Sequence, residues 1–287
     1  MTFEDLLERL WGYDGEILAY DSLFVFKNYL TGEKKEFHNC SGNDIQEWFD
    51  EVNPILCAYN CNNYDKHILR CWIAGMNPQE LKKVNDHIIG GGNGWDIDVG
   101  YGKLPTMWDF FNEINPRKSL KEIEGNLRLN ITESKVSFDI DRPLTQEEYE
   151  DLRYYCECDV DALFPLFEKL KNKYKSKYII SKLGNINPEF GLSQTDANLT
   201  AILLQAEKRM YTDNFDYKYP HCVDKSKIPV EVLNYFDDVI AHNDLNYNPP
   251  APEIKIQNCT AQLGYGGIHM MTDGVFSYDR GDDLPCE

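Results

Sequence analysis

Long apolar runs are missing from this chain. No stretch approaches the ~18 consecutive apolar residues of a membrane span, and residues 1–10 have neither a basic start nor an apolar core, so they are not a signal peptide. A soluble, cytoplasmic protein with no membrane partner is expected. Positive charge is scarce as well: 29 Lys and Arg stand against 48 Asp and Glu, a net charge of −19. Proteins that grip a phosphate backbone unaided usually present a basic surface, so tight autonomous binding of nucleic acid is not expected. Cys-x2-Cys pairs are also absent. The nine cysteines are odd in number, and Cys57-x3-Cys61 and Cys156-x-Cys158 lack the paired partners of a zinc site. Reduced thiols are the expected state.

What is present is a globular composition. Aromatics make up 13% and charged residues 27% of 287 residues, enough for one large core, or for one domain with a smaller appendage. The stretch that organises the rest is Trp11-Gly12-Tyr13-Asp14-Gly15-Glu16-Ile17. As a strand it alternates faces, which puts Asp14 and Glu16 on the same side. Two carboxylates in one small volume repel each other unless a cation intervenes, and hard divalent ions such as Mg²⁺ prefer oxygen ligands. A lone Asp-x-Glu also fits a solvated edge strand, and by itself it decides nothing.

Along the chain, Ser22 to Tyr29 and Lys35 to His38 flank a Thr31-Gly32 turn, predicting a three-strand antiparallel meander. Asn43 is expected to cap a helix that buries Ile45, Trp48 and Phe49. Ile55 to Tyr59 reads as a strand buried on both faces, followed by a helix from Tyr64 to about Ala74. Helices are predicted around Gln79 to Ile88 and from two capping boxes, Ser119-Leu120-Lys121-Glu122 and Thr145-Gln146-Glu147-Glu148. Tyr155 is expected in the last turns of the second, with another helix beginning near Asp159. The fold class is α/β: a mixed sheet flanked by helices.

Several features invite over-reading. Gly90-Gly91-Gly92-Asn93-Gly94 lacks the Lys-Ser or Lys-Thr of a phosphate loop and is expected to be a mobile surface loop. Asp96 and Asp98 after it are read as solvent-facing, and Asp109 either supports a site or is merely polar. Lys169, Lys171, Lys173, Lys175 and Lys177, with Tyr174 and Tyr178 between them, form the one strip suited to phosphates and stacked bases. A solvated helix end explains it equally well.

Three segments in order carry a resemblance. Asp14-x-Glu16, then Asn60-x3-Tyr64-Asp65, then Tyr155-x3-Asp159 resemble the three exonuclease motifs of the DEDD superfamily. The tyrosine four residues before the last Asp matches its DEDDy branch, which includes proofreading exonucleases of DNA polymerases. The match covers roughly residues 10 to 170. It implies an RNase H-like sheet and 3′→5′ hydrolysis of phosphodiesters with two divalent cations, Mg²⁺ or Mn²⁺. By this resemblance Asp14, Glu16, Asp65 and Asp159 are metal ligands, Asp14 bridging the two ions. Tyr155 orients the attacking water, and Asn60 and Tyr64 line the terminal nucleotide. The sequence departs from the usual pattern at Gly15, where a β-branched residue is common, and at Ile17, where Thr or Ser often follows the acid. Gly15 is expected to leave the strand's rear face underpacked, at a cost of roughly 0.5–1 kcal/mol. Tyr154 stands where the histidine branch keeps its base, but a phenol cannot replace an imidazole there.

The division expected is an exonuclease domain over 1–178 and an extension over 179–287. Thr195 to Met210 predicts a helix striped by Leu199, Ile202, Leu203 and Ala206. Gln262-Leu263-Gly264-Tyr265-Gly266-Gly267-Ile268-His269 resembles a segment that joins exonuclease to polymerase in phage-type DNA polymerases. The polymerase motifs that should follow are absent, and Gly281-Asp282-Asp283 reads as a tail. The resemblance implies a single-stranded DNA 3′ end as substrate, a separate polymerase polypeptide docked through residues 190–287, and the host cytoplasm as location if the source is a phage. Two other readings stand beside it: a non-catalytic assembly module that docks a polymerase, and a DEDDy nuclease that trims RNA.

Overall fold

A short amphipathic helix, α1 (Phe3–Glu8), capped reciprocally by Thr2 and Asp5, leads into the central strand β1 (Leu10–Ile17). β2 (Ser22–Asn28) and β3 (Lys34–His38) continue from it as the expected antiparallel meander, with Asp14 opposite Val25 and Glu16 opposite Leu23. After α2 (Gly42–Val52), β4 (Ile55–Ala58) pairs parallel with β1. Then come α3 (Asp65–Ile73), α4 (Pro78–Ile89) and β5 (Thr106–Asp109), which pairs parallel with β4. α5 (Leu120–Asn126), the long α6 (Gln146–Leu183), α7 (Pro188–Ser193) and α8 (Asp196–Leu203) complete the unit. The five strands lie in the order β3-β2-β1-β4-β5, the mixed sheet flanked by helices that the sequence predicts.

This computed structural model describes residues 1–99, 103–114, 118–206, 218–219, 221–244, 247, 249–256, 259–264 and 267–270. The chain divides into two compact units, Met1–Glu207 and Lys208–Glu287. The second holds α9 (Val230–His242) and an antiparallel sheet of β6 (Glu253–Ile256), β7 (Cys259–Gly264) and β8 (Gly267–Met270). The glycine-rich segment from Gln262 thus falls on the β7–β8 hairpin, while Tyr265, Gly266 and the Gly281-Asp282-Asp283 tail lie outside the described residues.

Strand alternation sorts the side chains of β1 onto two faces. Trp11, Tyr13 and Ile17 of β1 join Phe24 and Phe26 of β2, Trp48 of α2 and Trp72 of α3 on one face. Burying Phe24 and Phe26 contributes about 1.5–3 kcal/mol each. On the other face Leu10, Ile55, Cys57 and Trp108 meet Leu163 and Phe167 of α6. The backbone of Gly12 lies close under the Phe164 ring of the same helix. Asp14 and Glu16 share the parity of Leu10 and Gly12, so the strand turns both acids towards α6.

The structure revises several expectations. Ser41, not Asn43, caps α2, in a reciprocal box with Asp44. The two helices expected to meet near Asp159 are one, 38 residues long, which runs through Pro165. Gly15 does not leave a gap. A Cβ there would stand 2.3 Å from the ring of Phe24, its cross-strand neighbour, so that ring already fills the space. α8 ends at Leu203 instead of reaching Met210, which lies outside the described residues, and of its stripe only Leu199 is buried.

The lysine strip is largely consumed within the fold. Lys171 donates to the Tyr29 hydroxyl at 2.8 Å, and Lys173 bridges Glu113 and Asp196 at 2.8 and 3.0 Å. Lys177 is buried against Glu113, and Tyr174 stacks on Trp108 in the core. Only Lys169 and Lys175 of the five are exposed. The end of the glycine run after α4 is bonded to α3. Arg70 donates to the carbonyls of Gly94 and Ile97 at 2.8 and 3.2 Å, and Asn93 and Asp96 cap each other. Asp96 and Asp98 are exposed, as expected. Cys40, Cys57, Cys61, Cys71, Cys156, Cys158 and Cys222 are free thiols, and no helix among the described residues is long and apolar enough to cross a membrane.

Candidate metal centre

Carboxylate oxygens of Asp14, Glu16 and Asp159 all lie within 4.8 Å of one another. Two come from adjacent same-face positions of β1 and the third from α6, which packs across that face. Asp14 and Glu16 keep part of their surface open to solvent, while Asp159 is buried. All three carboxyl groups are held above the ordinary carboxylate range. For Asp14 the causes are burial, then the charges of Glu16, Asp65 and Asp159. Glu16 is pushed up to about 8 by burial, then by Asp159 and Asp65. In Asp159 burial outweighs the ion pair with Lys121 that pulls the other way.

Asp65 begins α3 and is buried, at the junction the sequence assigned to it. It lies outside the set of three, although its charge reaches both Asp14 and Glu16. Burial raises it to about 7, against the opposing bond from its own backbone. Tyr155 precedes Asp159 by one helical turn and is hydrogen-bonded to it. Burial, then the charges of Asp159 and Glu16, raise this phenol well above its ordinary value. Asn60 follows β4 with a left-handed backbone, φ 63°, and Tyr64 immediately precedes α3, its hydroxyl donating to Asn85 at 2.5 Å. Neither belongs to the acid cluster, and both line a neighbouring groove. Asp109 anchors the turn between them, accepting from the backbone N–H groups of Asn60, Asn62 and Phe111 at 2.8–3.0 Å.

Three residues at the site escaped the sequence reading. Cys156 donates its thiol to the carbonyl of Asp14 at 3.4 Å and to its carboxylate at 3.6 Å. Lys121 of α5 pairs with Asp159 and with the buried Glu124, at 3.4 Å from the latter, and its ammonium lies 5.0 Å from the Tyr155 ring centroid. Lys121 and Glu124 are three apart on one helix and therefore share a face. That spacing was visible in the helix that the capping box opens, but nothing in it pointed at Asp159.

The donor set suits a hard divalent cation. It consists of oxygens, its protons are held by burial and mutual repulsion, and Lys121 alone among the described basic residues pairs with one of the three acids. A cation bound there would relieve that repulsion.

No family model matches the sequence, and no curated protein does. Among solved structures, a Phi29 DNA polymerase complexed with primer-template DNA matches at a TM-score of 0.34 and 12% identity, over 61% of this chain. The match spans 34% of that polymerase. Likeness of that degree identifies neither an activity nor a site.

Proposed function

We propose that residues 1–178 form a metal-dependent 3′→5′ exonuclease acting on single-stranded DNA ends, the proofreading part of a phage-type DNA polymerase, with 179–287 as its connecting region. One observation carries the reading: Asp14, Glu16 and Asp159 meet within 4.8 Å although Asp159 comes from a helix far along the chain. The order of the three motifs supports it. DNA is preferred over RNA on the resemblance of the Gln262–His269 segment. An assembly module would gain nothing from this cluster, because buried carboxylates that repel each other subtract from stability.

Asp14, Glu16, Asp65 and Asp159 would hold the cations, Mg²⁺ or Mn²⁺. When bound, such ions lower the pKa of a coordinated water and stabilise charge on attacking and leaving oxygens. The remaining roles belong to the chain. The Cys156 thiol fixes the rotamer of Asp14. Tyr155 keeps its proton near neutral pH and donates to Asp159, so it orients its neighbours and does not act as the base. Lys121 balances the charge of Asp159 and Glu124 from the rim.

Incubation with 5′-end-labelled single-stranded DNA tests the proposal. Shortening from the 3′ end that needs Mg²⁺ or Mn²⁺, stops on chelation and is lost in Asp14→Ala is the expected result. Shortening that survives Asp14→Ala would remove the cluster from the reaction, and no shortening with either ion would remove the activity.

A further inference from the structure

Glu124 is a buried carboxylate with little to hold it. It is 2% exposed, and its Oε2 atom has no hydrogen-bond partner among the described residues. Its one ion pair among those residues is with Lys121, three residues back on α5, at 3.4 Å to Oε1. A close charge-assisted bond would measure about 2.7–2.9 Å. A carboxylate taken out of water for one long contact costs stability. Helix capping does not explain it either, since Ser119 and Glu122 cap α5 between them.

The Lys121 ammonium stands tightly on Asp159 instead, an acid of the metal centre. It lies between two carboxylates and holds one closely and the other loosely. A lysine is a compact charge on a flexible four-carbon stem, so the ammonium can change partners without any movement of α5. Glu124 stays within its reach throughout, because the two residues share a face of one helix. Charge balance decides which partner it takes. With no cation at the centre, Lys121 is the single positive charge among the described residues that pairs with the three clustered acids, and it belongs on Asp159. On the reading proposed above, two divalent cations match the four negative charges of Asp14, Glu16, Asp65 and Asp159. The ammonium then has no charge left to neutralise on Asp159 and is repelled at close range. Glu124, with its unused oxygen, is the buried acid left over beside it.

We propose that Glu124 is a positioning residue for the metal centre: it takes the Lys121 ammonium from Asp159 when a divalent cation binds, and so frees the Asp159 carboxylate to serve as a ligand. The proposal rests on the metal-dependent reading for its choice of ion, and its test reads binding, not hydrolysis. Mn²⁺ affinity of the full chain is measured by electron paramagnetic resonance of the free ion. Lys121→Met is expected to tighten Mn²⁺ about tenfold, because no ammonium has to leave Asp159 first. Glu124→Gln is expected to weaken it about tenfold, the scale for loss of an outer partner of a metal ligand. The double variant should match Lys121→Met, since Glu124 acts only through the lysine. Glu133 is the control for charge alone, being exposed with its charge reaching both Asp159 and Glu124. Glu133→Gln should change the affinity less than twofold. Lys121→Gln replaces Lys121→Met should the latter fold poorly. A crystal structure of the Mn²⁺-loaded parent needs no variant at all: Nζ should lie within about 3 Å of a Glu124 oxygen and no longer on Asp159.

Effects that simply add in the double variant, or a Glu133→Gln loss as large as that of Glu124→Gln, reduce Glu124 to one charge among several and overturn the hand-over. Weaker Mn²⁺ binding in Lys121→Met, or Nζ still on Asp159 in the loaded structure, overturns it too. Mn²⁺-dependent hydrolysis with purely additive variants sinks the hand-over and spares the nuclease. The expected non-additivity in a chain that hydrolyses nothing does the reverse.

Discussion

Burial holds the proton on Tyr155, and the charges of Asp159 and Glu16 add to the effect. A phenol in that state can donate a hydrogen bond but cannot take a proton from water near neutral pH. Tyr155→Phe removes the donor and leaves the ring, so the rate should fall by about 10²-fold, the usual loss for one well-placed donor. If Tyr155 only positions, the pH–rate profile of the variant keeps the shape of the parent's. A profile that loses its basic limb in Tyr155→Phe would instead make the phenol the base. Lys121 shows what single-residue reading misses. It occupies the second position of a capping-box helix, and its partner Asp159 is 38 residues away on another helix. Only the packing of α5 near α6 brings the two together.

At the scale of elements, β1 was legible because a strand's period of two is strict: once it is a strand, Asp14 and Glu16 must share a face. The meander, the β4 strand and the two capping boxes were legible for the same local reason. What depended on a partner was not. Residues 153–159 interrupt the apolar stripe of α6 with Arg153, Tyr154, Glu157 and Cys158, and the break in pattern imitates the end of a helix. The structure shows that α6 continues there and presents Tyr155 and Asp159 to the acids of β1. The lysine run beyond it looked like a phosphate strip because Glu113 and Asp196, which bind two of its members, are distant in sequence. Gly15 is the sharpest case, since its meaning lies in the β1–β2 register that sets Phe24 opposite it. Gly15→Ala should therefore destabilise the protein by about 1–3 kcal/mol, the cost of overpacking a filled core. Urea denaturation measures it, and in a Phe24→Leu background the same substitution should cost less. An equal penalty in both backgrounds would locate the strain away from Phe24.

For the molecule as a whole, the cluster ties stability to pH and to cations. Glu16 moves from 4.5 to about 8 on folding, and Asp65 from 3.8 to about 7. Between those limits the folded protein holds protons that the unfolded chain has released. The unfolded state then binds fewer protons, the derivative of unfolding free energy with pH is negative, and stability falls as pH rises from about 4.5 towards 8. This contribution is fully present below the unfolded values and lost above the folded ones. A divalent cation on the same oxygens offsets the loss, because it binds the folded state and not the dispersed acids of the unfolded chain. Thermal unfolding of the metal-free protein should thus show a Tm that declines from about pH 5 to about pH 8. Added Mn²⁺ should raise Tm strongly at the upper end and little at the lower, where protons compete for the ligands. Glu16→Gln separates this from a general effect of charge: it should raise the metal-free Tm near pH 8 and abolish most of the Mn²⁺ response. A Glu16→Gln protein that still responds to Mn²⁺ as the parent does would show that the ion binds elsewhere, and the three carboxylates would then lose their claim to it.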